Sequence, residues 1–195
     1  NLWIGTEGGG ISVLDRQSGR FSYHTHSDGC GLSSDFIKRL WRDEKGGIWV
    51  ASFNGGIQVY DKRTGHFKTR AGSSTSYPLC VYDFLEWEDG SLWMSSPDGN
   101  LRYQRKAGSP TETVWFTDSE GRQFGTAAEM IYRDDEGHLC LLSHSGLIVA
   151  DASTGRIVRC HHIDNVPFQS NNLICFCRLS SGDIWFGTGG GVNVL

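Results

Sequence analysis

The feature that most constrains this chain is an internal repeat. The segment LWIGTEGGGI at residues 2–11 returns as IWFGTGGGV, ending at residue 192, and degraded copies lie between them. Anchored on the tryptophan of the first copy, the pattern recurs at Trp3, Trp49, Trp93, Cys140 and Trp185, with spacings of 46, 44, 47 and 45 residues. Other features keep step with the anchor. Downstream comes a turn of the form D-x-x-[ST]-G-x-[FI], at 15–21, 61–67 and 151–157. Upstream, apolar residues hold fixed offsets: Ile37, Leu40 and Trp41; Val81, Phe84 and Leu85; Ala128, Ile131 and Tyr132; Leu173, Phe176 and Cys177. Just before the anchor lies a polar turn, DEKGG, EDGS, DDEGH or SSGD.

Each unit therefore reads as four short strands joined by tight turns. In propeller convention, strand A resembles FIKRLWRD, strand B IWVAS, strand C GIQVYD and strand D HFKTR. A period in the mid-forties with four strands per unit fits a propeller blade, whereas leucine-rich and hexapeptide solenoids repeat over much shorter distances. Helical repeats of similar length fail, because glycine and β-formers fill the positions where Ala, Leu and Glu should dominate. The chain has 26 Gly, 10 Phe, 7 Trp and 6 Tyr against only 4 Pro, a balance that suits many short strands. The predicted fold is all-β, made of β-propeller blades of four antiparallel strands. The expected units are 2–47, 48–91, 92–138, 139–183 and a partial 184–195, all parts of one propeller domain.

A ring usually needs four to eight blades, and this chain starts at a strand B and stops at a strand C. An incomplete propeller of about four blades is the expectation, a piece of a longer chain. An open arc would bare an apolar blade flank at each end, and such flanks associate. The expected partners are the remaining propeller blades or a second copy of the chain.

The glycine runs raise the question of phosphate binding. A phosphate loop needs a strand before it and a helix after it. Here GTEGGG is followed by ISVLD, which alternates like a strand, so the glycines are predicted to turn the chain between strands B and C. Lys and Arg total 18 against 22 Asp and Glu, scattered without runs, for a net charge of −4. That distribution gives no footprint for nucleic acid or an anionic membrane, and no apolar run is long enough to span a bilayer.

The stretch GLSSDFIKRLWRDEKGGIWVASFNGGIQVYDKRTGHF resembles the two-component regulator propeller repeat, with its GLSSN-x-I lead-in, D-x-x-G-x-LW-[IV]-GT-x-GGL core and YD-x-x-TG-x-F close. The resemblance covers essentially the whole chain. It weakens in the third unit, where RKAGSPTETVWFTDSEGRQFGTA lacks the Asp-to-Gly turn and the GLSS lead-in, and in the fourth, where Cys140 replaces Trp. It implies a β-propeller in the periplasmic sensor region of an inner-membrane hybrid sensor histidine kinase of Bacteroidetes type. Signal transduction by phosphorelay and carbohydrate sensing follow from that likeness. Kinase and receiver segments are absent, so the chain is expected to detect rather than to catalyse. A propeller lyase or hydrolase, and a purely structural interaction propeller, are the alternatives.

The chain's own chemistry points the same way. His24 and His26, in YHTH, share one face of a predicted strand D, but spacing supplies no third metal ligand; neither metal nor cofactor is expected. The six cysteines form no C-x-x-C pair. Cys80, Cys140 and Cys177 fall on strand positions expected to bury a thiol, and Cys140 with Cys160 is the pair to test for a disulfide. Asp43 and Asp134 share one repeat offset in an A-to-B turn and are explained by turn chemistry. In propellers the D-to-A and B-to-C loops open on one face. Those segments carry the candidate ligand-binding residues Lys38, Arg39, Phe53, Asn54, Tyr77, Tyr82, Asp98, Glu129, His144, Phe168 and Asn172, with Asp35 beside them. Aromatic faces mixed with planar polar groups suit an oligosaccharide. Trp87 stands where the repeat prefers Asp, and is expected to pack on a neighbouring blade or cover an interface.

Overall fold

The computed structural model describes residues 1–43, 45–71, 79–124, 128–143, 146–161, 170, 172–179, 181 and 183–194. Regular structure among them is entirely β. None of it is a helix long and apolar enough to cross a membrane. The first sheet holds β1 (Leu2–Gly5), β2 (Ile11–Leu14) and β3 (Phe21–His24), and the second holds β4 (Ile37–Arg42), β5 (Ile48–Ser52), β6 (Gly56–Asp61) and β7 (His66–Ala71). The third holds β8 (Phe84–Glu86), β9 (Leu92–Ser95), β10 (Leu101–Gln104) and β11 (Thr111–Val114). A hairpin, β12 (Phe116–Thr117) and β13 (Gln123–Phe124), precedes β14 (Ala128–Arg133), β15 (Leu139–Ser143), β16 (Gly146–Asp151) and β17 (Arg156–His161). The last sheet holds β18 (Leu173–Arg178), β19 (Ile184–Thr188) and β20 (Gly191–Val194). These are the antiparallel blades that the repeat predicts, strand beside sequential strand. The first sheet lacks a strand A and the last a strand D, as the phase of the repeat requires, and the propeller is incomplete.

The third unit departs from the four-strand scheme. Its irregular segment forms the β12–β13 hairpin, which joins the next blade through one parallel pair, Thr117 with Arg156, and makes that sheet six-stranded. The hairpin turn uses the same chemistry as the repeat's own turns. Asp118 Oδ1 accepts from the amides of Glu120 and Arg122, and Gly121 takes φ +81°.

The chain divides into two compact units, Asn1–Asp83 with Lys106–Ser109, and Phe84–Arg105 with Pro110–Leu195. In the first, β1 packs on β4. Ile11 and Val13 of β2 meet Ile37, Val50 and Phe67 of the second sheet around Cys30 and Leu32 of the linking loop. In the second unit, Trp93 and Leu101 pack with Phe116, Ile131, Leu139 and Leu141, while Cys140, Leu142 and Val149 pack toward Leu173 and Phe186. All five residues of β5 and of β15 are buried. Both faces of these strands are covered, so IWVAS and LCLLS read as continuous rather than alternating apolar runs. The end sheets differ: Leu2, Phe21 and Tyr23 of the first, and Trp185, Val192 and Val194 of the last, are exposed.

The glycine loops are turns. The backbone N–H groups of Gly8 and Gly10 both donate to the carbonyl of Asp35, at 3.0 and 2.9 Å, and β2 follows directly. The amides that an anion would need are thus engaged, and no helix dipole faces the loop. Gly10 has φ +69°, and a Cβ there would lie 2.2 Å from the carbonyl oxygen of His24; only glycine fits. The Asp turns also form as read. Asp43 accepts the indole N–H of Trp49 at 2.9 Å and the amide of Gly47 at 2.6 Å. Asp134 accepts the His138 amide at 2.8 Å. Trp87 does pack on the neighbouring blade: the Arg133 guanidinium lies 4.8 Å from its ring while pairing with Glu88 at 2.8 Å.

Two cysteine expectations need correction. Cys140 is buried, but Cys80 lies half-buried in a loop, and Cys177 is exposed because the outer face of the last sheet is uncovered. Cys140 and Cys160 do not bond. They sit on β15 and β17 with β16 between, in successive cross-strand rows (Cys140 opposite Val149, Cys160 opposite Ile148), so they point to opposite faces of the sheet. His26 is not on the strand with His24 either; β3 ends at His24 and His26 enters a turn.

Candidate ligand-binding site

The site grows from an irregularity in strand A of the second blade. Ile37 pairs with Ser52 and Arg39 with Ala51, leaving Lys38 as the extra residue of a β-bulge. A bulge re-aims its side chain out of the ladder. The same break falls between Ala128 and Met130, and between Leu173 and Cys175, so Glu129 and Ile174 hold the equivalent position in their own blades. By repeat offset, Tyr82 is the third blade's counterpart of Lys38.

Lys38 ion-pairs with Glu7 of the first B-to-C loop. Its ammonium also lies 5.9 Å from the ring of Phe53 and 5.5 Å from that of Tyr82, within cation–π range. Around it opens a cleft of about 570 Å³ lined by Glu7, His26, Ser33, Ser34, Asp35, Phe36, Lys38, Phe53 and Asn54. Phe36 and Phe53 present 47% and 37% of their surface to solvent. The walls are pinned by the backbone. Glu7 bridges Phe36, the Phe53 amide donates to the Phe36 carbonyl at 2.9 Å, and the His26 amide donates to Asp35 Oδ1 at 2.6 Å. Asn54 is the only non-glycine with positive φ, +62°, among the described residues. It occupies the offset that Gly8 fills in the first unit, and its Oδ1 accepts the Cys80 thiol at 2.6 Å.

Of the predicted residues, Lys38, Phe53 and Asn54 line the cleft, and Tyr82 flanks it through Lys38. Arg39 sits beside them, its guanidinium held by Asp83 through Nε to Oδ1 at 2.8 Å and Nη1 to Oδ2 at 3.0 Å. Asp98, Glu129 and Asn172 belong to the other compact unit. Asp98 receives the Asn100 amide and the Arg102 guanidinium; partial burial pushes its carboxyl up, but those donors outweigh burial and hold it below the usual range. The Asn172 amide donates to Ser170 Oγ at 3.1 Å and its carbonyl accepts from Gly189 at 3.1 Å. Tyr77, His144 and Phe168 lie outside the described residues. Sequence reading missed Glu7, His26, Ser33, Ser34 and Phe36. Glu7 carried a usable signal, since it shares the repeat offset of Phe53; His26 carried none, because its place depends on the path of the loop after β3.

The cleft thus offers ring faces, a lysine whose charge is already balanced, and planar or hydroxyl groups at its rim. That chemistry suits a polyhydroxylated ligand stacked on an aromatic face.

No family model matches the sequence, and neither does any curated protein. Solved structures do resemble it. The extracellular domain assigned to the hybrid two-component system BT4673 of B. thetaiotaomicron is 19% identical with TM-score 0.76, over 98% of this chain and 25% of that one. The corresponding domain of BT3049 from the same organism is 17% identical with TM-score 0.60, over 98% of this chain and 31% of that one. A streptogramin B lyase is 16% identical with TM-score 0.64, over 96% of this chain and 62% of the enzyme. These likenesses establish the propeller fold. The chain spans about a quarter of the length of the BT4673 domain.

Proposed function

We propose that this chain is the ligand-sensing propeller segment of a membrane-bound two-component sensor histidine kinase, detecting an oligosaccharide in the periplasm and signalling to a kinase outside the segment. The observation that carries the reading is the cleft at Lys38, where Phe36, Phe53 and Tyr82 surround a charge-balanced lysine on the B-to-C and D-to-A loops. Two further lines support it: the repeat motif, which resembles that of such sensors, and the likeness in fold to extracellular domains of two-component systems. The exposed apolar faces of the first and last sheets fit further blades of a longer propeller. In this reading the segment itself performs no catalysis.

Titration calorimetry with a panel of neutral and acidic oligosaccharides tests it. We expect at least one to bind, and Phe53→Ala or Tyr82→Ala to weaken it about tenfold, the effect of losing one stacked ring. A panel that binds nowhere, or a sugar bound equally well by both variants, would overturn the proposal. Consumption of the bound sugar would instead favour a propeller enzyme.

A further inference from the structure

A second constellation lies in the same compact unit, on the turn that also carries His26 of the cleft, but its three donors line no part of that cleft. It begins where β3 ends. His24 is the last residue of that strand, and the chain then turns through Thr25–Gly29. Asp28 organises the turn: its Oδ2 accepts the Thr25 amide at 3.0 Å and its Oδ1 accepts the Cys30 amide at 2.7 Å. Gly29, at φ +80°, reverses the chain, and the Cys30 carbonyl is tied to β7 by the Phe67 amide at 2.8 Å. The result brings an imidazole nitrogen, a carboxylate oxygen and a thiol sulfur within 4.8 Å of one another.

The three donors are held differently. The His24 ring is wedged among Trp3, Tyr60 and Phe67, with centroid separations of 5.9, 5.5 and 5.5 Å. The Cys30 sulfur is buried in the apolar cluster of Ile11, Leu32 and Phe67. Asp28 is exposed and has no lysine or arginine partner among the described residues. Two soft or borderline donors set in the core and one hard donor at the exposed surface form a donor set for a divalent ion of the zinc type. Zinc bonds of about 2.0–2.3 Å need the donors drawn inward, and Asp28, the exposed donor, would turn one oxygen to the ion in exchange for one of its two backbone amide bonds.

The other candidate group, Asp134, Glu136 and His138, differs in one decisive respect. Arg159 already supplies a cation there, its Nη2 3.3 Å from Glu136 and 3.8 Å from Asp134.

We propose that His24, Asp28 and Cys30 bind one zinc ion, with water completing the tetrahedron. Binding replaces the Cys30 S–H bond by a sulfur–zinc bond and releases one proton to solvent. The ion clamps the turn after β3 to the core between the first two blades, so its effect is on stability.

Cobalt(II) titration of the reduced chain, with a non-coordinating phosphine reductant, tests the site. One equivalent should develop a near-ultraviolet thiolate-to-cobalt band with intense tetrahedral d–d bands, and zinc should displace both. Zinc should also raise the melting temperature. Cys30→Ala should abolish the charge-transfer band, whereas Cys175→Ala with Cys177→Ala should leave it intact. Asp28→Asn, which keeps one of the two oxygens that accept in the turn, should weaken cobalt at least tenfold while the chain still unfolds cooperatively from a β-rich circular dichroism spectrum, and decides the matter should Cys30→Ala fail to fold. No thiolate band at one equivalent, a band that survives Cys30→Ala, or unchanged affinity in Asp28→Asn would overturn the proposal.

Discussion

Replacing Arg39 by alanine probes how the second blade is joined to the segment entering the third. Asp83 is 1% exposed, and Arg39 holds both of its oxygens in a fork at 2.8 and 3.0 Å. The Arg39 side chain itself is 26% exposed, so the pair is anchored from a half-wet side. Removing one partner of a buried pair costs about 3–5 kcal/mol; the partial exposure of Arg39 and a further interaction kept by Asp83 lower that to about 2–4 kcal/mol. An escape open to the variant is to protonate Asp83. From an ordinary value near 3.9, that costs about 1.36 kcal/mol for each pH unit, or about 4 kcal/mol at pH 7 and about 1.5 kcal/mol at pH 5. The loss in Arg39→Ala is therefore capped at pH 7 and shrinks on acidification, since the variant's folded state takes up a proton that its unfolded state does not hold. Urea unfolding followed by tryptophan fluorescence at both pH values measures this. Arg39→Lys should recover only part, because an ammonium cannot fill the two-point fork. A loss under about 0.5 kcal/mol at pH 7, or an equal loss at pH 5 and 7, would refute the reasoning.

Three further outcomes are expected. Asp61 is held at about 2 by the Lys68 ammonium and the Arg63 amide, and Asp151 at about 2 by the Ser153 hydroxyl and amide. Both bind protons more weakly folded than unfolded, so their contribution is complete above about pH 4 and is lost as pH falls towards 2; melting curves across that window should show the decline, and Asp61→Asn with Asp151→Asn should flatten it. Gly10→Ala should cost at least about 2 kcal/mol in urea unfolding, because its Cβ meets the His24 carbonyl and its φ is positive. Burial pushes the Cys140 thiol up to about 11, so thiol-labelling mass spectrometry on the native chain should modify exposed Cys175 and Cys177 first, with Cys140 slower by about a hundredfold or more until the chain is denatured.

Part of the site could be read through the repeat. Lys38 and Tyr82 share one offset and Phe53 and Glu7 another, and each offset is a fixed place on a blade, so periodicity located the loops that carry Lys38, Phe53, Asn54 and Tyr82, while the bulge at Lys38 emerged only from the strand pairing. Periodicity could not locate Asp28 and Cys30 beside His24, because the turn after β3 has no counterpart signal in the other units. It also could not show that Arg39 is committed to Asp83, a contact between residues 44 positions apart.

What the amino-acid sequence determined by itself is whatever depends on neighbours a few residues away: strand period, Asp and Gly turns, the need for glycine after the tryptophan box, and hence the blade. Tertiary structure alone decided what depends on the route between blades. The β12–β13 hairpin joins the next sheet and the donors after β3 converge, because each requires knowing which surfaces the connecting loops bring together. Hydrogen bonding within a blade is written locally in the pattern of residues, whereas packing between blades is set by side-chain shape across long separations in the chain.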